Sequence, residues 1–93
     1  MIVRYTRQAL NDLESLRNYI SQEQPRAAAA MAGLIREAVD GLSRFPERGR
    51  PGRVAGTREL VIPGTPFVVP YRVAGQEVQI LAVLHGARAW PPR

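Results

Sequence analysis

Ninety-three residues with 45% apolar and 23% charged content fit one soluble globular domain, 1–93, with a single modest core. There is no cysteine, which excludes a disulfide framework, a thiolate nucleophile and a cysteine metal site. The net charge of +5 lies entirely in residues 44–93, with eight arginines against Glu47, Glu59 and Glu77, a field that favours an anionic partner.

Residues 1–43 balance five arginines with five acids, and lysine is absent throughout. No lysine is therefore available as a general base or Schiff-base former. MIVRYTRQ lacks the apolar core of a signal peptide, and no window approaches the ~18 apolar residues of a membrane span. The expected location is the cytoplasm, with no membrane association.

Ile2 to Tyr5 reads as a short strand, and Thr6 as the N-cap of a helix. Ala9, Leu10, Leu13, Leu16, Tyr19 and Ile20 recur at helical spacing, with Asp12, Glu14, Arg17 and Asn18 mostly on the other side. The pattern stops in residues 21–24. Pro25 suits the first position of a second helix, where its missing N–H is harmless. Ala28, Met31, Ala32, Ile35, Ala38, Val39 and Leu42 mark that helix's buried face, and Phe45-Pro46 closes it. So short a link makes an αα-hairpin.

Residues 46–57, PERGRPGRVAGT, read as a loop, either a solvated connector or an arginine-rich arm. Three strands follow. Arg58 to Ile62 ends at PGTP, and Phe67 to Val73 ends at Ala74-Gly75, a hairpin signal. The last runs from Glu77 to Leu84, with Val78, Ile80 and Ala82 alternating against Glu77, Gln79, Leu81 and Val83. Pro70 within strand-like sequence predicts an edge position or a bulge. The order is β-α-α-β-β-β, an α+β fold with an αα-hairpin packed on a small, mainly antiparallel sheet.

Arg58, Arg72, His85 and Arg88 are distributed along this meander, where a rigid sheet would present cations to an anion. Each has a structural alternative. His85 at the end of an apolar strand suits a hydrogen-bonded sheet-end residue as well as an acid–base group. Arg72 follows Tyr71, so the two face opposite sides of the strand. Arg72 is then an ion-pair partner for Glu77 or Glu59, or a ligand contact, and Tyr71 is a core residue or a stacking platform. Arg88 beside Trp90 suits a binding anchor, with Trp90 folded back over the core as the alternative. No Gly-rich phosphate loop, metal-ligand cluster or Ser-His-Asp set is present, so no cofactor and no metal are expected.

The segments VVPYRV (68–73), QILAVLHGARAW (79–90) and FPERGRPG (45–52), within this order of elements, resemble the RelE/ParE superfamily of bacterial toxins, most closely its ParE-like branch. The resemblance implies the toxin of a type II toxin–antitoxin system, of the kind linked to plasmid stabilization and growth arrest. It would be held inactive in a hetero-oligomer by a cognate antitoxin with an acidic, amphipathic tail. ParE-like members inhibit DNA gyrase without chemistry of their own, while RelE-like members cleave mRNA on the ribosome. For cleavage the resemblance offers His85, Arg58 and Arg88 as catalytic residues; the third-strand arginine it expects is Val68 here. For binding to target or antitoxin it offers Arg58, Arg72, Arg88, Trp90 and Tyr71. The favoured expectation is gyrase inhibition, with the ribosome-dependent endonuclease as the alternative. A third reading is a toxin fold that survives only as an antitoxin-binding module.

Overall fold

In the computed structural model, residues 1–21, 24–86 and 90 are described, without the side chains of residues 19–21. The elements are β1 (Ile2–Tyr5), α1 (Arg7–Ser21), α2 (Pro25–Asp40), a 3-10 turn (Gly41–Ser43), β2 (Arg50–Pro51), β3 (Arg58–Val61), β4 (Phe67–Ala74), β5 (Glu77–Ile80) and β6 (Leu84–His85). The strands form one sheet in the order β1-β5-β4-β3-β2, with β6 also pairing β4. Every pairing is antiparallel except β1 with β5, which the helical hairpin makes parallel by returning the chain.

Local chemistry accounts for the element ends. Thr6 Oγ1 accepts from the Ala9 N–H at 3.2 Å, the N-cap bond expected of it, and donates to the Ile80 carbonyl at 2.8 Å. One side chain thus caps α1 and ties it to β5. Pro25 opens α2 as expected. The α-helix itself stops at Asp40, earlier than Phe45-Pro46 suggested, and tightens into the 3-10 turn that buries Leu42. In PGTP the Thr65 N–H donates to the Ile62 carbonyl at 3.2 Å, and Gly64 takes φ +76°, as a Pro-Gly type II turn requires.

Pro70 lies in the central strand β4, so the bulge, not the edge, explains it. Tyr71 pairs with Ile80 and Val68 with Leu84, which leaves Val69 and Pro70 facing the three residues 81–83. The extra residue divides the expected continuous strand 77–84 into β5 and β6. Leu81 N–H donates to the Pro70 carbonyl at 2.9 Å, and Val83 N–H donates to Asp12 Oδ2 at 3.0 Å. Asp12 therefore faces the end of the sheet, not open solvent, and supplies the acceptor that the bulge removes. The loop expected over residues 46–57 also differs, because Arg50 and Pro51 pair with Glu59 and Arg58 as β2.

The core lies between the helices and one sheet face. Ala9, Leu13, Ile35, Val39 and Leu42 meet Leu60, Val69, Tyr71, Val78 and Ile80, all buried. Leu10, assigned by periodicity to the buried face, is exposed. Among the described residues, no helix is long and apolar enough to cross a membrane.

Candidate interaction site

Strand β4 carries Tyr71 on the core side and Arg72 on the outer side, as strand alternation demands. Tyr71 is fully buried, which makes it a core residue and leaves no ring face for a ligand. Its hydroxyl donates to the Pro46 carbonyl at 2.7 Å and accepts from the Gly49 N–H at 2.8 Å. Arg58 stands opposite Tyr71 in the β3–β4 register. Its Nη1 donates to the Gly49 carbonyl at 2.8 Å and the Glu47 carbonyl at 3.3 Å. Tyr71 and Arg58 thus fasten the segment 46–49 from beneath. The guanidinium expected to clamp a phosphate directs its Nη1 at these backbone carbonyls.

Burial pushes the Tyr71 phenol above its ordinary value of 10.0, and the Gly49 N–H and the Arg58 charge oppose the shift. Burial, then the Asp40 charge, raises Tyr5 in the same direction. A phenol with a raised folded-state pKa contributes stability that is complete below its unfolded value and is lost as pH rises through the folded one. Urea midpoints are therefore expected to fall above about pH 10. Tyr71→Phe should flatten part of that decline, and a midpoint independent of alkaline pH would contradict this reading.

The outer sheet face holds the remaining candidates. Glu59 is 2% exposed, and its carboxylate accepts from Arg50 Nη2 at 3.2 Å and the Arg53 N–H at 3.0 Å, with Arg53 Nε at 3.5 Å. The sequence reading offered Glu59 only as an ion-pair partner for Arg72; its burial and its role in the loop at Arg53 depend on contacts that pattern does not reveal. Trp90 folds back beside Glu59, Val68, Pro70 and Leu84 around a small gap. The residues it covers lie on the outer face of the sheet, not in the helix-side core. Its indole N–H is buried and has no hydrogen-bond partner among the described residues.

His85 is exposed, lines the same gap, and meets the edge of the Phe67 ring at 5.9 Å between centroids. Val68, at the position of the expected arginine, is buried on this face. Arg72 is exposed and donates from Nε to Gln79 Oε1 at 2.7 Å, not to Glu77 or Glu59. Gln79 in turn donates to Glu77 at 3.0 Å, and Glu77 pairs with Arg4 at 3.1 Å. Arg88 lies outside the described residues. The proposed nuclease residues His85 and Arg58 therefore have separate surroundings, Arg58 under the 46–49 segment and His85 beside Trp90. No group of three metal-ligating side chains occurs among the described residues.

A groove of about 640 Å³ runs between α2 and the β3 edge. Leu34, Ala38, Leu60 and Val61 line it, together with Glu37, Arg48 and the Arg50–Glu59 pair. Leu34 is 43% exposed and Val61 48%, so the groove displays two large apolar side chains to solvent. Beside it Arg48 stacks over the exposed Phe45 ring at 4.9 Å. The walls of this groove are α2 and one strand edge. Leu34 and Val61 gave a usable signal, each being an apolar residue off its element's buried pattern.

The family described as ParE toxin of type II toxin-antitoxin system, parDE, matches residues 3–90. The chain is 44% identical over 84 residues to Toxin RelE2 of Caulobacter vibrioides, covering 90% of this chain and 93% of that protein. Among solved structures it resembles a chain of the chromosomal ParDE system from P. aeruginosa, with TM-score 0.83 and 33% identity, covering 91% of this chain and 95% of that one. It also resembles a chain of the toxin–antitoxin complex RelBE2 from Mycobacterium tuberculosis, with TM-score 0.64 and 34% identity over 90% and 95% of the two chains.

Proposed function

Since this chain belongs to the ParE toxin family of type II toxin–antitoxin systems, within the RelE/ParE superfamily, we propose that it arrests growth in the cytoplasm by binding DNA gyrase, without cutting RNA. The observation that carries this reading is the engagement of Arg58. Cleavage by 2′-OH attack needs a base, an acid and cations on the phosphate in one place. Arg58 is bound to Glu47 and Gly49 carbonyls, and a buried Val68 stands where a further arginine would be needed. The higher structural similarity to the ParDE chain supports the same branch.

In this account Arg72 and Trp90, with Arg88, contribute to the gyrase-binding surface. A cognate antitoxin neutralises the toxin through apolar anchors and acidic groups that meet the arginine-rich half. Induced expression without the antitoxin is expected to arrest growth, with plasmid DNA losing negative supercoils while messenger RNA stays intact. Arrest with codon-specific mRNA cuts and unchanged plasmid topology would instead establish the endonuclease reading. Absence of arrest would leave an antitoxin-binding module.

A further inference from the structure

Phe45 is a large aromatic side chain held out in water. It follows the 3-10 turn that buries Leu42, and 56% of it is exposed. Its backbone is fixed on both sides. Phe45 N–H donates to the Gly41 carbonyl at 3.0 Å, Arg48 N–H donates to the Phe45 carbonyl at 3.1 Å, and the Pro46 carbonyl accepts from the buried Tyr71 hydroxyl. The Arg48 guanidinium lies over one face of the ring. The ring borders a recess of about 460 Å³, lined also by Arg44, Pro46, Glu47 and Arg48. Arg44 and Arg48 are exposed, and neither enters an ion pair among the described residues. Residues 44–59 carry five arginines against Glu47 and Glu59, and Glu59 is already matched by Arg50 and Arg53.

A fixed aromatic ring flanked by arginines without acidic partners matches the chemistry of an unpaired nucleotide, whose base stacks on the ring while its phosphates meet the cations. We propose that Phe45, Arg44 and Arg48 bind single-stranded nucleic acid, with one base on the Phe45 ring opposite Arg48 and the flanking phosphates at the two arginines. Charge complementarity favours this occupant, since the half of the chain that carries the site holds the whole excess of +5. A duplex fits less well, because its base faces are covered by neighbouring pairs. A protein partner also fits less well. Enclosing Phe45 would desolvate Arg44, Glu47 and Arg48 around it, whereas an open strand leaves their outer sides in water. Glu47 faces the same recess and repels phosphate, so it holds the affinity down. Segment 46–49 is held by Tyr71 and Arg58, so the platform needs little ordering on binding. The inference goes beyond gyrase binding and does not rest on it.

The test is fluorescence anisotropy of the purified full chain with labelled oligo(dT), oligo(rU) and a DNA duplex of equal length, over a range of salt. The unmodified protein is expected to bind single strands more tightly than the duplex. Phe45→Leu should weaken single-strand binding about tenfold and leave its salt dependence unchanged, because the lost contact is uncharged. Arg48→Gln should weaken binding and reduce the salt slope by about 0.7, the share of one phosphate. Glu47→Gln should tighten it. Phe45→Tyr keeps a stacking ring and should bind as the unmodified protein does, an arm that decides if Phe45→Leu disturbs the fold. Binding to only one of the two single strands supports the site and identifies the sugar it accepts. Full affinity in a folded Phe45→Leu protein, equal affinity for duplex and single strand, or no binding at all would overturn the proposal.

Discussion

Tyr71→Ala is expected to leave the chain largely unfolded. The substitution empties the centre of the core, where Tyr71 has no exposed surface, and comparable aromatic truncations cost about 3–5 kcal/mol. It also removes the acceptor of the Gly49 N–H and the donor to the Pro46 carbonyl. A buried group left unsatisfied adds about 1–3 kcal/mol. Together these approach the whole stability of a small domain, about 5–15 kcal/mol with short chains at the low end. Tyr71→Phe separates the two contributions, because it keeps the ring and should cost only about 1–3 kcal/mol. Urea denaturation of the two variants checks both values. A folded Tyr71→Ala protein with a near-normal midpoint would show that segment 46–49 does not depend on this side chain.

Gly49→Ala is expected to destabilise nearly as much as Tyr71→Phe, although it adds a single methyl. A Cβ at Gly49 would stand 2.6 Å from Tyr71 Cε1, 2.7 Å from its hydroxyl and 3.0 Å from the Glu59 carbonyl. None of these neighbours has room to retreat, since Tyr71 and Glu59 are both buried. Overpacking of this kind costs about 1–3 kcal/mol, and each kcal/mol lowers the melting temperature of a domain this size by about 4–8 °C. The two sites share a hydrogen bond, so their effects should couple. The Gly49→Ala, Tyr71→Phe double variant should be less destabilised than the sum of the singles, because the hydrogen bond can be lost only once. Strict additivity in thermal melts would contradict direct contact.

Much of this architecture was legible along the chain, for reasons particular residues make plain. Thr6 caps a helix through bonds three residues away, Pro25 opens one through its own missing N–H, and Pro63-Gly64 turns on its own backbone preference. These are local effects, and local effects can be read in order. Pro70 announced an irregularity, and the structure supplied the bulge and placed it opposite residues 81–83. What was hidden depends on distant partners. Strand β2 lies in a stretch of Pro, Gly and Arg that promised only a loop, and it exists because β3 runs alongside it.

The candidate site divides in the same way. Arginines at 58 and 72 could be counted, but their partners could not. Arg58 finds Gly49 only because Tyr71 draws segment 46–49 down to β3, and Arg72 finds Gln79 rather than an acid because the hairpin register sets them opposite each other. Trp90 was ambiguous for a related reason: the apolar patch at Val68, Pro70 and Leu84 that it covers appears only once β6 pairs with β4. The groove at the β3 edge depends on β3 running past the end of β2, a difference in length that no single segment contains.

The central claim is that this toxin acts by contact and performs no RNA chemistry. It is tested most directly by assaying purified protein and its His85→Ala variant side by side against DNA gyrase supercoiling and against ribosome-bound mRNA. The account predicts that both proteins inhibit supercoiling to the same extent and that neither cuts mRNA. Cleavage by the unmodified protein that disappears in His85→Ala would contradict it.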